Sequence, residues 1–201
     1  GIVVITNSEN IRVVGGKFIG TRDSYNVSNG NRRQYGIVTN AAKNISIMNV
    51  DVSSCVASCL HISGSGDKHS DTVYVYNSKF YESSYHGISL EGCDNVFMNH
   101  VTSYGADNIT NNNAYSCSID IEGLSSENPN KNIWVRNCHF LESEACSVSV
   151  HKNNGVHILD TEITKSLVLQ TGDEVSLNNC KINTIKADSP QLSNVKVDNC
   201  D

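Results

Sequence analysis

The sequence predicts a single all-β domain over residues 1–201, a right-handed parallel β-helix (β-solenoid) of about eight coils with three strands each. Three observations lead to this prediction. A short pattern recurs along the chain, a separate apolar strand lies between successive copies, and asparagine occupies one fixed step of the pattern. Stacking such repeats buries a continuous core that a single repeat could not bury alone.

The repeat appears in segments that align without gaps. The second and fourth residues are apolar in every copy, with variable residues between them. Side chains two residues apart on a strand share a face, so these positions predict the buried face of one strand. The ninth position returns to the core as Phe, Val or Ile in most copies, and Ser103 is its weak member. The copies begin at Asn10, Asn44, Thr72, Asn95, Asn132, Gly155, Glu174 and Asn194.

The sixth step of the repeat predicts a bend between two strands. Asn and Gly tolerate a left-handed backbone, which a sharp bend requires. If coils stack at about 4.8 Å, the amides at this step are also expected to bond to one another as an asparagine ladder. The step holds Asn49, Asn77, Asn137, Asn179 and Asn199, with Gly15, His100 and Asp160 as the exceptions.

A third strand is expected between successive repeats. Parallel strands joined by crossovers in one sheet are right-handed, which sets the expected hand of the solenoid. An antiparallel sandwich with similarly spaced strands is the alternative, but it gives no reason for one residue type at one step of every segment. The third strands begin near Ile2, Tyr35, Ser58, His86, Ser116, Ala145, Ser166 and Thr184.

Composition narrows the possible partners. Hydrophobic residues make up 38% of the chain, charged residues 18%, and the net charge is −6. Because no Lys/Arg cluster is present, we expect neither nucleic acid nor an anionic membrane surface as a partner. No apolar stretch is long enough for membrane insertion. The chain begins at Gly1 and reads as a strand at once, so we expect it to be a fragment of a longer chain.

Eight cysteines would suit a disulfide framework, but their positions favour packing. Cys138, Cys180 and Cys200 share a repeat position with valines, and Cys117 and Cys146 share another with glycines. Residues that alternate with Val and Gly are packing residues. We therefore expect reduced thiols, folding in a reducing cytosol, and no metal site, since no CxxC pair exists.

The outward residues of the third strands form two predicted columns that gather acids and histidines. Carboxylates on adjacent coils repel, which raises the pKa of one of them and divides a pair into general acid and base, or acid and nucleophile. We expect Asp120 and Glu122 to be that pair, with Glu91 and His86 beside them. There are two alternatives to a catalytic role for these residues: they bind a glycan without catalysis, or they are polar simply because they face water. The columns read Val38, His61, Ser89, Asp120, Ser149, Val168 and Asn40, Ser63, Glu91, Glu122, His151, Gln170.

Three insertions are expected to wall this face into a groove: residues 20–34, 104–115 and 123–131. Arginine suits an acidic sugar or a phosphate, and Asp or Asn suits sugar hydroxyls. Tolerated surface insertions are the alternative. The residues expected to bind substrate are Arg22, Asp23, Arg32, Arg33 and Asp107 in the loops, and His61 and His151 on the strands.

Several segments resemble the pectin-lyase-like right-handed β-helix superfamily, and more narrowly the β-helix of bacteriophage tailspike and pre-neck appendage proteins and of bacterial extracellular proteins. The resemblance covers nearly the whole chain. By that resemblance, the turn containing Arg22 and Asp23 and the strand Ile119–Glu122 fall near the carbohydrate groove. The segments are GGKFIGTRD, YGIVTNAAKNISIMNVDV, HGISLEGCDNVFMNHV, SIDIEG and NKNIWVRNCHF.

The resemblance implies a homotrimer on a virion tail or outside the cell, with a polysaccharide or teichoic acid as its partner and no cofactor. It does not fix an activity, because the superfamily holds hydrolases, lyases, epimerases and binders. The Asp-Pro-His-Glu motif of alginate epimerases, the Asp-Asp and Arg-Ile-Lys motifs of polygalacturonases, and the calcium cluster and catalytic arginine of pectate lyases are all missing. A secreted bacterial polysaccharide lyase, hydrolase or epimerase, and a non-catalytic structural or adhesive solenoid, remain the alternatives.

Overall fold

The computed structural model describes residues 2–24, 34–107, 116–189 and 192–201, and nearly all of its regular structure is β. One 3-10 turn, Arg22–Ser24, is its helical element, and none of the described residues form a helix long and apolar enough to cross a membrane. The strands are β1 Val3–Thr6, β2 Glu9–Val14, β3 Lys17–Ile19, β4 Ile37–Asn40, β5 Lys43–Met48, β6 Asp51–Ser53, β7 Leu60–Ser63, β8 Ser70–Tyr81, β9 Ile88–Glu91, β10 Cys93–Tyr104, β11 Cys117–Glu122, β12 Asn130–Arg136, β13 His139–Phe140, β14 Cys146–His151, β15 Asn153–Leu159, β16 Glu162–Ile163, β17 Leu167–Leu169, β18 Gly172–Asn178, β19 Lys181–Ile182, β20 Ile185–Ala187 and β21 Leu192–Asp198.

These strands form two parallel sheets. Sheet 1 contains the predicted third strands in the order β1-β4-β7-β9-β11-β14-β17-β20, and sheet 2 contains the thirteen others. All pairings between the described strands are parallel, so the antiparallel sandwich is wrong. Each strand pairs with its counterpart in the next repeat, as a β-solenoid requires. The right-handed sense and the number of coils stay predictions.

The bend expected at the sixth repeat position is present in the backbone. All its residues have positive φ, from 49° at Asn77 to 71° at Gly15. The first repeat position is also left-handed, from 52° at Asn44 to 84° at Gly155, and this second bend was not predicted from the repeat. At the sixth position, Asn179 Nδ2 donates a 2.7 Å hydrogen bond to Asp160 Oδ1 of the preceding copy. A continuous asparagine ladder stays a prediction.

The apolar positions of the repeat line one continuous core. Phe80, Ser103 and Phe140 are register partners at the ninth position, and all three are fully buried. The Ser103 hydroxyl donates a 2.7 Å hydrogen bond to the backbone oxygen of Ser118. A Cβ on Gly87 would lie only 1.9 Å from Ser103 Oγ, so the space around this serine is filled. The weak member of the column is therefore a satisfied polar residue in a tightly packed layer.

Two of the cysteines are not free thiols. Cys117 on β11 and Cys146 on β14 are register partners and form a disulfide, with a Cα–Cα distance of 5.0 Å. Coil stacking brings two cysteines of one repeat position within disulfide reach, so the expectation of reduced thiols throughout was wrong. Cys138 and Cys180 are free and buried, and burial raises the pKa of the Cys138 thiol to about 11, which keeps it a packing residue.

Replacing both Cys117 and Cys146 with Ser is expected to lower the free energy of unfolding by about 2–4 kcal/mol, because the unfolded chain gains conformational freedom. Denaturant unfolding with and without a thiol reductant measures this. Reductant should destabilise the wild type and leave the double variant unchanged. A wild type that is insensitive to reductant under denaturing conditions would show that the bond does not form.

Candidate functional site

An acidic face lies on the outer side of sheet 1, in the register order predicted from the sequence. Asp120 pairs with Ser89 of β9 and Ser149 of β14. Glu122 pairs with Glu91 of β9 and His151 of β14. We define the acidic face as Glu91, Asp120 and Glu122 together with the histidines and Lys152 beside them. Two adjacent columns of three successive strands thus bring three carboxyl groups together.

Asp120 is the least exposed of the three carboxyls, with 14% of its side chain accessible. Burial raises its pKa to about 6; a hydrogen bond from Ser149 opposes this shift and the charge of Glu122 adds to it. A carboxyl with this pKa holds a proton in mildly acidic solution and releases it readily near neutrality. Asp120 therefore has the properties of a general acid.

His86 lies behind Asp120 as a buried neutral imidazole. Burial lowers its pKa to about 3. Its Nδ1 accepts a 3.3 Å hydrogen bond from the backbone N–H of Cys117, which assigns the ring proton to Nε2. Nε2 lies 3.7 Å from Asp120 Oδ2, beyond hydrogen-bond distance. The Nε2–H of His86 thus lies near the Asp120 carboxyl without donating a hydrogen bond to it.

Glu122, the second carboxyl of the pair, forms ion pairs with its neighbours. Its Oε1 lies 2.9 Å from Lys152 Nζ and 3.2 Å from His151 Nδ1, and the side chain is 39% exposed. A carboxylate that is ion-paired and open to solvent can act as a base or a nucleophile. Glu91, one strand away, has a pKa raised by burial first and then by the charge of Glu122.

Aromatic rings border the acidic face on the side nearer the N-terminus of the chain. His61 Nε2 lies 3.8 Å from Glu91 Oε2, and its ring stacks on Tyr35 with centroids 4.5 Å apart. Burial lowers the pKa of His61 to about 4, and the neighbouring imidazole of His86 further disfavours a proton on His61 because two protonated rings would repel. Both histidines are thus neutral at physiological pH, and they supply hydrogen-bonding groups and ring faces rather than charge.

The acidic face differs from another run of acids among the described residues. At the start of sheet 2, the register partners Asp71 and Asp94 lie between Lys43 and Lys131, so each acid has a lysine on the neighbouring strand. Three carboxyls on sheet 1 share the single lysine Lys152. Charges that remain unmatched in a partly buried cluster are typical of functional sites. Among the described residues, no group of three or more His, Cys, Asp and Glu is arranged to hold a metal ion.

The predicted loop residues fall into three groups. Arg22 Nη2 and Asp107 Oδ2 form an ion pair at 3.3 Å, so these two expected ligands pair with each other instead of with the acidic face. Asp23 is exposed in the 3-10 turn beside Arg22. Arg32 and Arg33 lie outside the described residues.

The third insertion does border the acidic face. It follows Glu122 directly, and its Asn128 donates a 3.1 Å hydrogen bond to the backbone oxygen of Gly66 in the loop after β7. A Cβ on Gly92, the residue after Glu91, would lie 2.7 Å from the Leu124 side chain. The two loops therefore meet at the carboxyl ends of the strands that carry Glu91 and Glu122. β12 begins at Asn130, one residue before the predicted end of this insertion.

Sequence reasoning missed Lys152 and Tyr85. Lys152 lies in the left-handed bend after His151 (φ 52°), whereas the predicted columns contain only outward residues of strands. Tyr85 precedes His86, and their ring centroids are 3.8 Å apart. Burial, followed by the charges of Asp120, Glu122 and Glu91, raises the pKa of Tyr85. Tyr85 could have been predicted from its position, because it directly precedes His86, which was already expected to lie beside the acidic residues.

Comparison with known proteins gives similarity in sequence and in fold. No family model matches the chain. It is 27% identical over 170 residues to the uncharacterized protein YclG of Bacillus subtilis (strain 168), covering 77% of this chain and 29% of that protein. It is 24% identical over 196 residues to the SPbeta prophage-derived uncharacterized protein YorA of the same strain, covering 87% of this chain and 33% of that protein. The chain thus spans about a third of the length of these relatives.

A solved structure shares the fold over nearly the whole chain. It is the catalytic unit of a thermostable GH87 α-1,3-glucanase from Streptomyces thermodiastaticus strain HF3-3, with a TM-score of 0.54 and 9% sequence identity. The match covers 98% of this chain and 49% of the glucanase chain. At this identity the likeness concerns the fold alone.

Proposed function

We propose that this chain binds a polysaccharide along the acidic face and cleaves it by acid–base catalysis. One observation carries the proposal: a buried carboxyl with a pKa of about 6, Asp120, shares an outward strand face with the ion-paired carboxylate Glu122. The fold likeness to a glucanase catalytic unit supports a polysaccharide as substrate. Three carboxyls around Lys152 favour a functional site over polar residues that simply face water, which is the competing interpretation.

In the proposed reaction, protonated Asp120 donates its proton to the glycosidic oxygen as the bond from that oxygen to the anomeric carbon breaks. The Glu122 carboxylate either attacks the anomeric carbon or removes a proton from an attacking water. Two residues apart on a strand, their Cα atoms are roughly 6.5–7 Å apart, which allows either arrangement. The Nε2–H of His86 stabilises the Asp120 carboxylate that the proton transfer leaves behind.

The biological setting that we propose is a bacteriophage tailspike or appendage acting on a bacterial surface glycan or teichoic acid. Similarity to a prophage-derived protein of Bacillus subtilis supports this setting. The proposal includes assembly as a homotrimer on the virion tail. A secreted bacterial polysaccharide lyase, hydrolase or epimerase, and a non-catalytic adhesive solenoid, are the competing proposals.

The test is incubation of the protein with Bacillus cell-wall glycan carrying teichoic acid, and in parallel with α-1,3-glucan. New reducing ends without unsaturated sugars indicate hydrolysis, unsaturated ends indicate a lyase, and a changed sugar configuration without chain cleavage indicates an epimerase. Co-sedimentation with the same glycans measures binding separately. Folded protein that binds these glycans and releases no product would support the adhesive alternative and refute cleavage.

The pH dependence of cleavage is a sharper prediction. Asp120 must be protonated to act as the acid, so kcat/KM is expected to fall as the pH rises through about 6. Replacing Ser149 with Ala removes a hydrogen bond that stabilises the ionised carboxyl, so the pKa of Asp120 rises and this alkaline limb moves to higher pH. Initial rates across the pH range, for wild type and Ser149→Ala, measure the shift. An alkaline limb that stays in place in the variant would remove Asp120 from the role of acid.

A further inference from the structure

A column of aromatic side chains runs along the outer face of sheet 2. Tyr74, Phe97, Trp134 and His157 are register partners on the successive strands β8, β10, β12 and β15. We call these four residues the aromatic column. It lies on a different sheet from the acidic face, and the proposed reaction uses none of its members.

The rings of the column stack in two pairs. Tyr74 and Phe97 have centroids 5.3 Å apart with planes at 18°, and Trp134 and His157 have centroids 4.1 Å apart with planes at 28°. Trp134 is 38% exposed although its ring is large and apolar. Three strand steps of about 4.8 Å make the column roughly 14 Å long. The result is a narrow aromatic strip that runs across the strands.

Polar side chains border the column on both edges. On one edge, Asn132 accepts a hydrogen bond from Trp134 Nε1 (2.5 Å) and donates one to Asn95. On the other edge, two residues further along the strands, Asn99 and Arg136 are register partners. The same edge also contains Tyr76, whose ring stacks on Tyr74 with centroids 6.0 Å apart, and Leu159 beside Arg136. One edge of the column is therefore lined by amides, and the other mixes apolar groups with an amide and a guanidinium.

We infer that the aromatic column is a second saccharide-binding surface, which holds the polymer away from the site of cleavage. A pyranose ring has apolar C–H faces and hydroxyl edges, so its face packs on an aromatic ring while its hydroxyls bond to flanking amides. A second copy of the chain is a poorer fit, because a stable dimer buries about 800 Å² on each partner around an apolar core. This inference rests on the proposed function only in taking a polysaccharide as the partner.

Trp134 is the one tryptophan in the sequence, so its fluorescence reports on this surface alone. The experiment uses the Asp120→Asn, Glu122→Gln double variant, in which binding is measured without turnover. The probes are a length series of α-1,3-linked gluco-oligosaccharides and of glycan fragments from Bacillus cell wall. We expect a saturable change in emission, with affinity rising until the oligosaccharide covers about 14 Å.

Two substitutions of Trp134 distinguish the contribution of an aromatic ring to binding from that of an apolar side chain in general. In the double-variant background, Trp134→Leu is expected to weaken retention in affinity electrophoresis on the same glycans by about tenfold, and Trp134→Phe to retain most of the binding. Circular dichroism confirms that both variants are folded. Emission unchanged by every glycan, or equal retention by the Leu and Phe variants, would overturn the inference.

Self-association is tested on the same proteins by light scattering. A Trp134→Leu variant that loses an oligomeric state and keeps its glycan retention would identify the column as a contact between copies and overturn the inference. The two proposals fail separately: a wild type that releases no product refutes cleavage, and a Trp134 emission change that persists still supports the second surface.

Discussion

Replacing Asp120 with Asn is expected to lower kcat/KM for glycan cleavage by about 100- to 10,000-fold, because an amide cannot give a proton to the leaving oxygen. Glu122→Gln is expected to cause a loss of similar size by removing the base or nucleophile. Since the two residues act as a unit, the double variant should lose little more than either single variant. Initial rates of product release from the glycan that the wild type cleaves measure all three.

A matched control separates this effect from charge removal in general. Glu162→Gln removes a half-buried carboxylate of sheet 2 that pairs with Lys181, and it should leave kcat/KM unchanged. Stability gives a second control. The pKa of Asp120 is raised on folding, so its ionisation destabilises the fold as the pH rises through about 6, and Asp120→Asn should be more stable than wild type at neutral pH. An inactive variant that is also less stable at neutral pH would contradict this assignment.

Replacing Phe80 with Ala is expected to lower the free energy of unfolding by about 3–5 kcal/mol. Phe80 is fully buried between its register partners Val52 and Ser103, so truncation leaves a cavity in the continuous core. Adjacent coils depend on each other for burial, which prevents easy collapse around the gap. Urea unfolding of the two proteins measures the difference.

The same substitution on the outer face is the control for that prediction. Phe97 lies on the outer side of sheet 2, half-buried and stacked on Tyr74. Phe97→Ala is therefore expected to cost only about 1 kcal/mol. Equal losses for Phe80→Ala and Phe97→Ala would contradict the division of the repeat into buried and outward positions.

The columns of the acidic face could be predicted because two periodicities of the sequence determine them: the alternation of side chains along a strand and the repeat from coil to coil. Alternation along a strand places Asp120 and Glu122 on one face, and the repeat places Glu91 and His151 on the neighbouring strands in register. A slip of one residue would have turned every apolar residue of the repeat outward. The sequence therefore predicts both the register of these strands and which acidic side chains become neighbours in it.

Other features depended on distances that a pattern does not contain. The Cys117–Cys146 disulfide follows from the spacing of adjacent strands, whereas exchange with glycine at that position had favoured packing alone. Lys152 reaches Glu122 from a bend, where side-chain direction does not follow strand alternation. Arg22 and Asp107 lie in different insertions, outside the repeat, so the repeat pattern could not predict their ion pair.

A crystal structure of the Glu122→Gln variant with a bound oligosaccharide of the cleaved glycan tests the central claim most directly. We expect sugar rings along the acidic face of sheet 1 and a glycosidic oxygen within hydrogen-bond distance of the Asp120 carboxyl. The Tyr85 ring and the imidazole of His61 should border the same sugars. An oligosaccharide bound elsewhere, with Asp120 contacting no sugar, would contradict the assignment of this face as the site of cleavage.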